Sequence, residues 1–159
     1  MRTTNIVLPA SFAALLLSAC ASSSDYAFSQ TAARKAVLDY CRIDLEQNPQ
    51  KPRLPYRATF ERAMQGDIPS LTAIFTRSEY WSGDNESWSF TAWPLLHAVG
   101  DQRFAAFLNS VSPKTRADIF EQVFYEGSYY PKAIPSGYFQ RHFPRVEAIY
   151  RHTKLHAEA

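Results

Sequence analysis

Histidine side chains offer the first chemistry that this chain could perform. Among its four histidines, His97 stands four positions before Asp101, and a carboxylate near an imidazole can orient it for acid–base catalysis. A structural role accounts better for both residues, because His97 follows two leucines in an apolar run and Asp101 stands where a helix would begin. The sequence therefore predicts no catalytic residue, and a small enzyme that uses His97 and Asp101 is the alternative.

Metal binding is the second chemistry to consider. His152 and His156 are four positions apart, a spacing that places two ligands on one helix face, as in zinc sites, and His142 could supply a third ligand. The glutamate of a zincin motif is missing, so surface histidines explain this pattern better. The sequence also lacks a glycine-rich phosphate loop, a Cys-x-x-Cys pair and a Gly-x-Ser-x-Gly elbow. We predict neither a metal nor a cofactor.

A segment rich in aromatic and acidic residues is the strongest candidate for binding. Its candidate partner-binding residues are Tyr80, Trp81, Asp84, Glu86 and Trp88. Tyrosine and tryptophan are favoured at interface hot spots, and the carboxylates could meet a basic partner. The competing interpretation is that these rings hold a long loop onto the protein core, and the sequence leaves both interpretations open.

Two Gly-Asp pairs predict the helical hairpins that would carry these residues. Residues 63–75 align without a gap onto residues 97–109, with Gly66-Asp67 over Gly100-Asp101. The glycine can take the left-handed conformation that ends a helix, and the aspartate can accept hydrogen bonds from the free N–H groups of the next. A third pair follows the same spacing of 17 residues at Gly83-Asp84. The chain is therefore predicted to hold two copies of one hairpin.

Helical periodicity and helix-capping residues predict the remaining elements. The predicted single helices span residues 29–47, 56–65, 68–77, 112–126 and 144–155, and the second hairpin spans residues 90–109. Strand signals are weak, because few segments alternate and β-branched residues are sparse. The predicted fold class is all-α, with short helical hairpins in a repeat-like array and long loops.

The spacing and residue types of the repeated hairpin are similar to those of a known helical repeat. A period of 34 residues with Pro94-Leu-Leu-His97 before the turn resembles ankyrin repeats, whose usual wording is Thr-Pro-Leu-His. The resemblance covers about fifty residues and departs from the pattern at Trp93, which replaces the threonine. A generic array of αα hairpins fits as well.

Composition limits the class of protein. The 159 residues are 46% hydrophobic and 14% aromatic, with a formal net charge of +2, which suits one globular domain with a sizeable core. So balanced a charge argues against nucleic acid as the partner. We assign residues 29–159 to a single α-helical domain.

The N-terminal residues resemble the signal of bacterial lipoproteins. The apolar run of residues 6–17 ends in Leu17-Ser18-Ala19-Cys20, which resembles the lipobox. The resemblance implies that residues 1–19 are a signal peptide and that Cys20 carries acyl chains. Residues 20–28 would then be the lipidated cysteine and a flexible tether. In such lipoproteins an aspartate after the lipidated cysteine favours retention at the inner membrane. The residue here is Ala21, so the resemblance implies the outer membrane, with the domain facing the periplasm.

Cys41 would be left alone once Cys20 is acylated. No intramolecular disulfide is then possible, and Cys41 lies in an apolar helical context. We predict that Cys41 is a small buried hydrophobic residue rather than a nucleophile.

These features together predict a lipid-anchored envelope protein that acts as a protein-binding module rather than an enzyme. Its expected partners are the membrane, through the anchor, and a protein, but not nucleic acid. Two roles suit a small anchored binder: an immunity lipoprotein that neutralises a toxin, and a pilotin-like accessory of a secretion system. The alternative from another class is a small envelope enzyme using His97 and Asp101.

Overall fold

The computed structural model is built from helices joined by short turns and longer connections. It describes residues 29–47, 55–77, 80, 85–124 and 137–157, with the side chains of 44, 45, 47, 85–90 and 154–157 left aside. The helices of these residues are α1 (Gln30–Gln47), α2 (Tyr56–Ala63), α3 (Ile68–Thr76), α4 (Asn85–Val99), α5 (Asp101–Ser110), α6 (Pro113–Val123), α7 (Tyr138–His142) and α8 (Pro144–Ala157). No strand occurs among them, so the predicted all-α class is confirmed.

Helix α4 is the centre of the fold. Its nine consecutive residues 91–99 are all buried, and a helix that is apolar on every side is one that other elements surround. Helices α1, α5 and α6 pack against it. Trp93, Leu95 and Leu96 have no exposed surface, and their burial offsets the backbone hydrogen bond that Pro94 removes from the helix interior. Helix α4 begins at Asn85, five residues before the start predicted from the sequence.

The two predicted hairpins lie side by side. Helix α2 packs against α3, helix α4 against α5, and the pairs meet through α3 and α5. Helix α1 contacts both α2 and α4, while α8 packs against α5, α6 and the short helix α7. Helix α7 was not predicted from the sequence. The buried apolar side chains form one cluster.

Glycine makes both hairpin turns, as predicted. Gly66 and Gly100 have φ angles of 88° and 84°, a region that side chains with a Cβ rarely adopt. After the first turn, the Asp67 carboxylate accepts a hydrogen bond from the Ser70 N–H at 3.0 Å and so caps α3. At the start of α6, Ser112 does the same for the Thr115 N–H at 3.1 Å.

Candidate functional site

Asp101 does not cap its own helix. Gly100 is the residue before α5, and Asp101 already belongs to the first turn of that helix. Its carboxylate accepts hydrogen bonds from the backbone N–H groups of Arg145 and Val146, each at 3.0 Å, and lies 3.3 Å from the Arg145 guanidinium. The predicted local cap is therefore wrong: Asp101 caps α8, a helix 44 residues further along the chain.

These hydrogen bonds explain Asp101 without a catalytic pairing with His97. The Asp101 carboxylate is taken up by the first turn of α8, where it satisfies two free N–H groups. His97 is 8% exposed and packs among rings, with centroids 5.0 Å from Trp93 and 4.7 Å from Phe143. Both residues thus hold α4, α5 and α8 together.

Tyr138 completes the aromatic cluster around His97. Its ring centroid lies 6.1 Å from that of His97, and it stacks on His142 at 4.2 Å. Burial raises the pKa of the Tyr138 phenol to about 12, because a phenolate would lose its hydration. The phenol therefore stays protonated at neutral pH and serves as packing rather than as a base.

The histidine pair that was weighed as possible zinc ligands is described only in part. His152 is exposed on α8, and the side chain of His156 lies outside the described residues. Within the described part of the chain, no three histidine, cysteine or carboxylate side chains converge as metal ligands.

Tyr80 is the one member of the aromatic segment whose side chain the structure describes. It is 3% exposed, and its ring stacks on Tyr56 with centroids 5.4 Å apart. The Tyr56 hydroxyl donates to the Tyr80 carbonyl at 3.1 Å, and the Tyr80 hydroxyl donates to Thr59 at 3.3 Å. Tyr80 is therefore a core residue and not a surface anchor, which corrects its assignment to the partner-binding set.

The other candidates follow Tyr80 directly. Trp81 and Asp84 lie outside the described residues. Glu86 and Trp88 belong to the first turns of α4, whereas the sequence analysis placed them in a loop; their side chains are also outside the description. Residues 81–84 thus connect two fixed points, because Tyr80 is packed against α2 and helix α4 begins at Asn85.

One of the two cysteines lies in the described part of the chain. Cys41 is 1% exposed, so the predicted small buried hydrophobic residue is confirmed. Cys20 lies outside the described residues. In the described part of the chain, no helix combines the length and the apolar character needed to cross a bilayer.

Helix α4 spans the fold between two ends that hold different residues. We call one the hairpin-turn end: it holds Gly66, Gly100 and the first turn of α1, because the Gln30 side chain donates to the Ala98 carbonyl at 3.0 Å. We call the other the aromatic end: it holds the stacked Tyr56 and Tyr80 and the start of α4. Helix α4, with 15 residues, separates them by about 22 Å.

Sequence reasoning missed the arginines of the hairpin-turn end. The Arg103 side chain lies against Gly66, and its Cδ is 2.7 Å from where a Cβ would be. Arg34 of α1 approaches the Met64 carbonyl oxygen at 3.5 Å. These residues are 69 positions apart in the chain, so no local spacing could have linked them.

Comparison of the chain with protein-family models, with curated proteins and with solved structures finds no significant match in any of the three. The functional argument therefore depends on the residues of this chain alone.

Proposed function

We propose that this chain is a lipid-anchored envelope protein whose helical domain binds a protein partner. The observation that carries the proposal is Leu17-Ser18-Ala19-Cys20 at the end of an apolar run of about 12 residues. In the lipoproteins that this motif resembles, the cysteine is acylated and the domain stays at the membrane. Ala21 favours the outer membrane, with the domain facing the periplasm.

The aromatic end supports a binding role. Tyr80 holds the start of the connection 81–84 on α2, and α4 holds its other end. The segment that follows Tyr80 holds two tryptophans, Trp81 and Trp88, a residue type that is enriched at interface hot spots. We assign partner contact to Trp81, Asp84, Glu86 and Trp88, with Tyr80 as their support.

The described contacts disfavour the enzyme alternative. Asp101 is engaged by α8, His97 is packed in a ring cluster, and the Tyr138 phenol has a raised pKa. Asp101 and His97 thus have structural contacts that account for them without catalysis. The identity of the partner, a toxin or a secretion-system component, would decide between an immunity lipoprotein and a pilotin-like accessory.

Acylation is tested by metabolic labelling with a clickable palmitate analogue. Wild type is expected to carry the label and to sediment with membranes, whereas Cys20→Ser should lose both. Cys41→Ala is the matched control, because it removes the other thiol and should label as wild type does. Equal labelling of Cys20→Ser and wild type would contradict the anchor.

Partner binding is tested by crosslinking and affinity capture from the envelope. Trp81→Ala and Trp88→Ala are each expected to lower capture by about thirtyfold, or about 2 kcal/mol, as hot-spot truncations do. Circular dichroism melts should stay close to wild type. A large loss of stability with unchanged capture per folded molecule would show that these rings are structural.

A further inference from the structure

The hairpin-turn end carries a cluster of arginines from four helices. Arg34 reaches the Met64 carbonyl and Arg103 lies on Gly66. Arg62 donates to the Ser70 hydroxyl at 3.2 Å, beside the start of α3. Arg145 pairs with Asp101 at the start of α8, and its side chain is still 64% exposed.

The charge of this end is positive. Asp67 and Asp101 are carboxylates of this end and cap α3 and α8. Glu147, in the first turn of α8, is a third and pairs with Arg151. With Arg151 included, five guanidinium groups against three carboxylates leave a net charge of +2 for the cluster. Of the described helices, α1, α3, α5 and α8 begin at this end, whereas α2 and α4 end here, so the positive partial charges of the helix N-termini outnumber the negative ones of the C-termini.

An exposed apolar side chain lies within the same surface. Ile68, the first residue of α3, is 37% exposed and is the large hydrophobic residue that stands out on the described surface. Pro69 follows it and is also exposed. Arginines around an exposed apolar residue are the mixture that suits the boundary between lipid headgroups and acyl chains.

The chain leads from this end to the proposed anchor. Helix α1 begins at Gln30, and the nine peptide steps from Cys20 to Ser29 reach at most about 30 Å when fully extended. An acylated Cys20 would therefore hold the start of α1, and with it the hairpin-turn end, within about 30 Å of the bilayer. Anionic phospholipid is then the partner that is always within reach of these arginines.

We infer that the hairpin-turn end is a docking surface for the anionic membrane to which the chain is anchored, with the exposed Arg62, Arg103 and Arg145 meeting phosphates and Ile68 entering the headgroup layer. The inference rests on the lipid anchor proposed above. It assigns the aromatic end the orientation away from the membrane, where a protein partner could reach it.

A depth measurement tests this orientation on the full acylated chain. The chain is reconstituted in vesicles of phosphatidylcholine alone or of equal parts phosphatidylcholine and phosphatidylglycerol, each with a headgroup quencher. A fluorophore is attached through Ile68→Cys in one preparation and through Ser110→Cys, at the far end of α5, in another. Cys41 is 1% exposed and should stay unlabelled. Quenching at position 68 should be several times that at position 110, and only with phosphatidylglycerol.

Charge variants supply the second part of the test. Each arginine near an anionic surface contributes about a fivefold change in binding, so Arg62→Gln with Arg103→Gln should lower the ratio of docked to undocked domain about thirtyfold. The control removes two cations elsewhere, through Arg57→Gln and Lys114→Gln, and should leave the ratio unchanged. If the first pair fails to fold, a salt titration of wild type keeps the test decisive, because screening should release the domain.

The outcomes separate this inference from the anchor. An acylated chain with equal quenching at the two positions, or equal effects of the two charge pairs, overturns the docking surface while the anchor stands. If the environment of the fluorophore at position 68 changes only when an envelope protein is added, and does not depend on phosphatidylglycerol, the surface binds a protein instead and the inference is overturned. A chain without acyl label overturns the anchor, and the docking inference fails with it.

Discussion

The carboxylate of Asp101 ties α5 to α8, and its removal gives the sharpest test of the fold. Asp101→Ala takes the acceptor from two backbone N–H groups of α8, a loss that costs about 1 to 2 kcal/mol for a helix cap. The ion pair adds less than about 1 kcal/mol, because the Arg145 side chain is 64% exposed. We expect a total loss of about 2 kcal/mol, which lowers Tm by about 6 °C for a domain of this size.

Hydrogen exchange localises the effect. The amides of Arg145 and Val146 should lose protection in Asp101→Ala, since α8 loses its N-terminal cap. Asp101→Asn keeps one acceptor oxygen and should cost about half as much. Asp118→Ala is the matched control: its carboxylate pairs with Lys114 on the surface of one helix, and its loss should cost less than about 0.5 kcal/mol. An unchanged melt and unchanged α8 protection in Asp101→Ala would refute the role that we assign to this carboxylate.

Three further predictions concern the turns and the core. Gly66→Ala and Gly100→Ala should each destabilise by about 1 to 3 kcal/mol in urea melts because both φ angles are positive; only the first should also displace the arginine packed against it, whereas open space surrounds the second. Tyr80→Phe should cost about 1 kcal/mol through the lost buried hydrogen bond, with partner capture per folded molecule unchanged. Hydrogen bonds from the Ser70 side chain and then its backbone lower the pKa of Asp67 below its ordinary 3.8, so folding favours the ionised carboxylate. The stability advantage of wild type over Asp67→Asn should be complete above about pH 4 and should disappear as the pH falls through the lowered pKa; urea melts at several pH values would show an unchanged difference if this carboxylate were not involved.

Local chemistry allowed the hairpins to be predicted, and tertiary contact explains where the prediction of caps went wrong. A Gly-Asp pair indicates a turn with a positive φ, and both glycines have one. The aspartates differ, because Asp67 meets the N–H of its own helix while Asp101 meets a helix 44 residues away. Residue types alone carry no information about which helix start will lie beside a carboxylate.

The aromatic segment shows the same limit for the candidate site. Tyrosine and tryptophan serve equally well in cores and interfaces, since each joins a large apolar ring to one polar atom. Tyr80 stands in the core because Tyr56 and Thr59, more than 20 residues earlier, supply a stacking ring and a hydroxyl. The start of α4 was predicted five residues too late for a related reason. Residues 85–89 are mostly polar, so their types alone favour a loop, whereas in the structure they continue the buried helix that follows them.

The arrangement of the two ends links the anchor to the binding role. If the hairpin-turn end lies on the bilayer with α4 upright, the length of α4 places its first residue, Asn85, about 22 Å further from the membrane. A partner in the periplasm would then meet Trp81 without approaching the headgroups. Charge changes at Arg62 and Arg103 should therefore alter the orientation of the domain without altering its affinity for a partner in detergent solution. A loss of that affinity in detergent would mean that the partner itself contacts the arginines, and the separation of the two surfaces would be wrong.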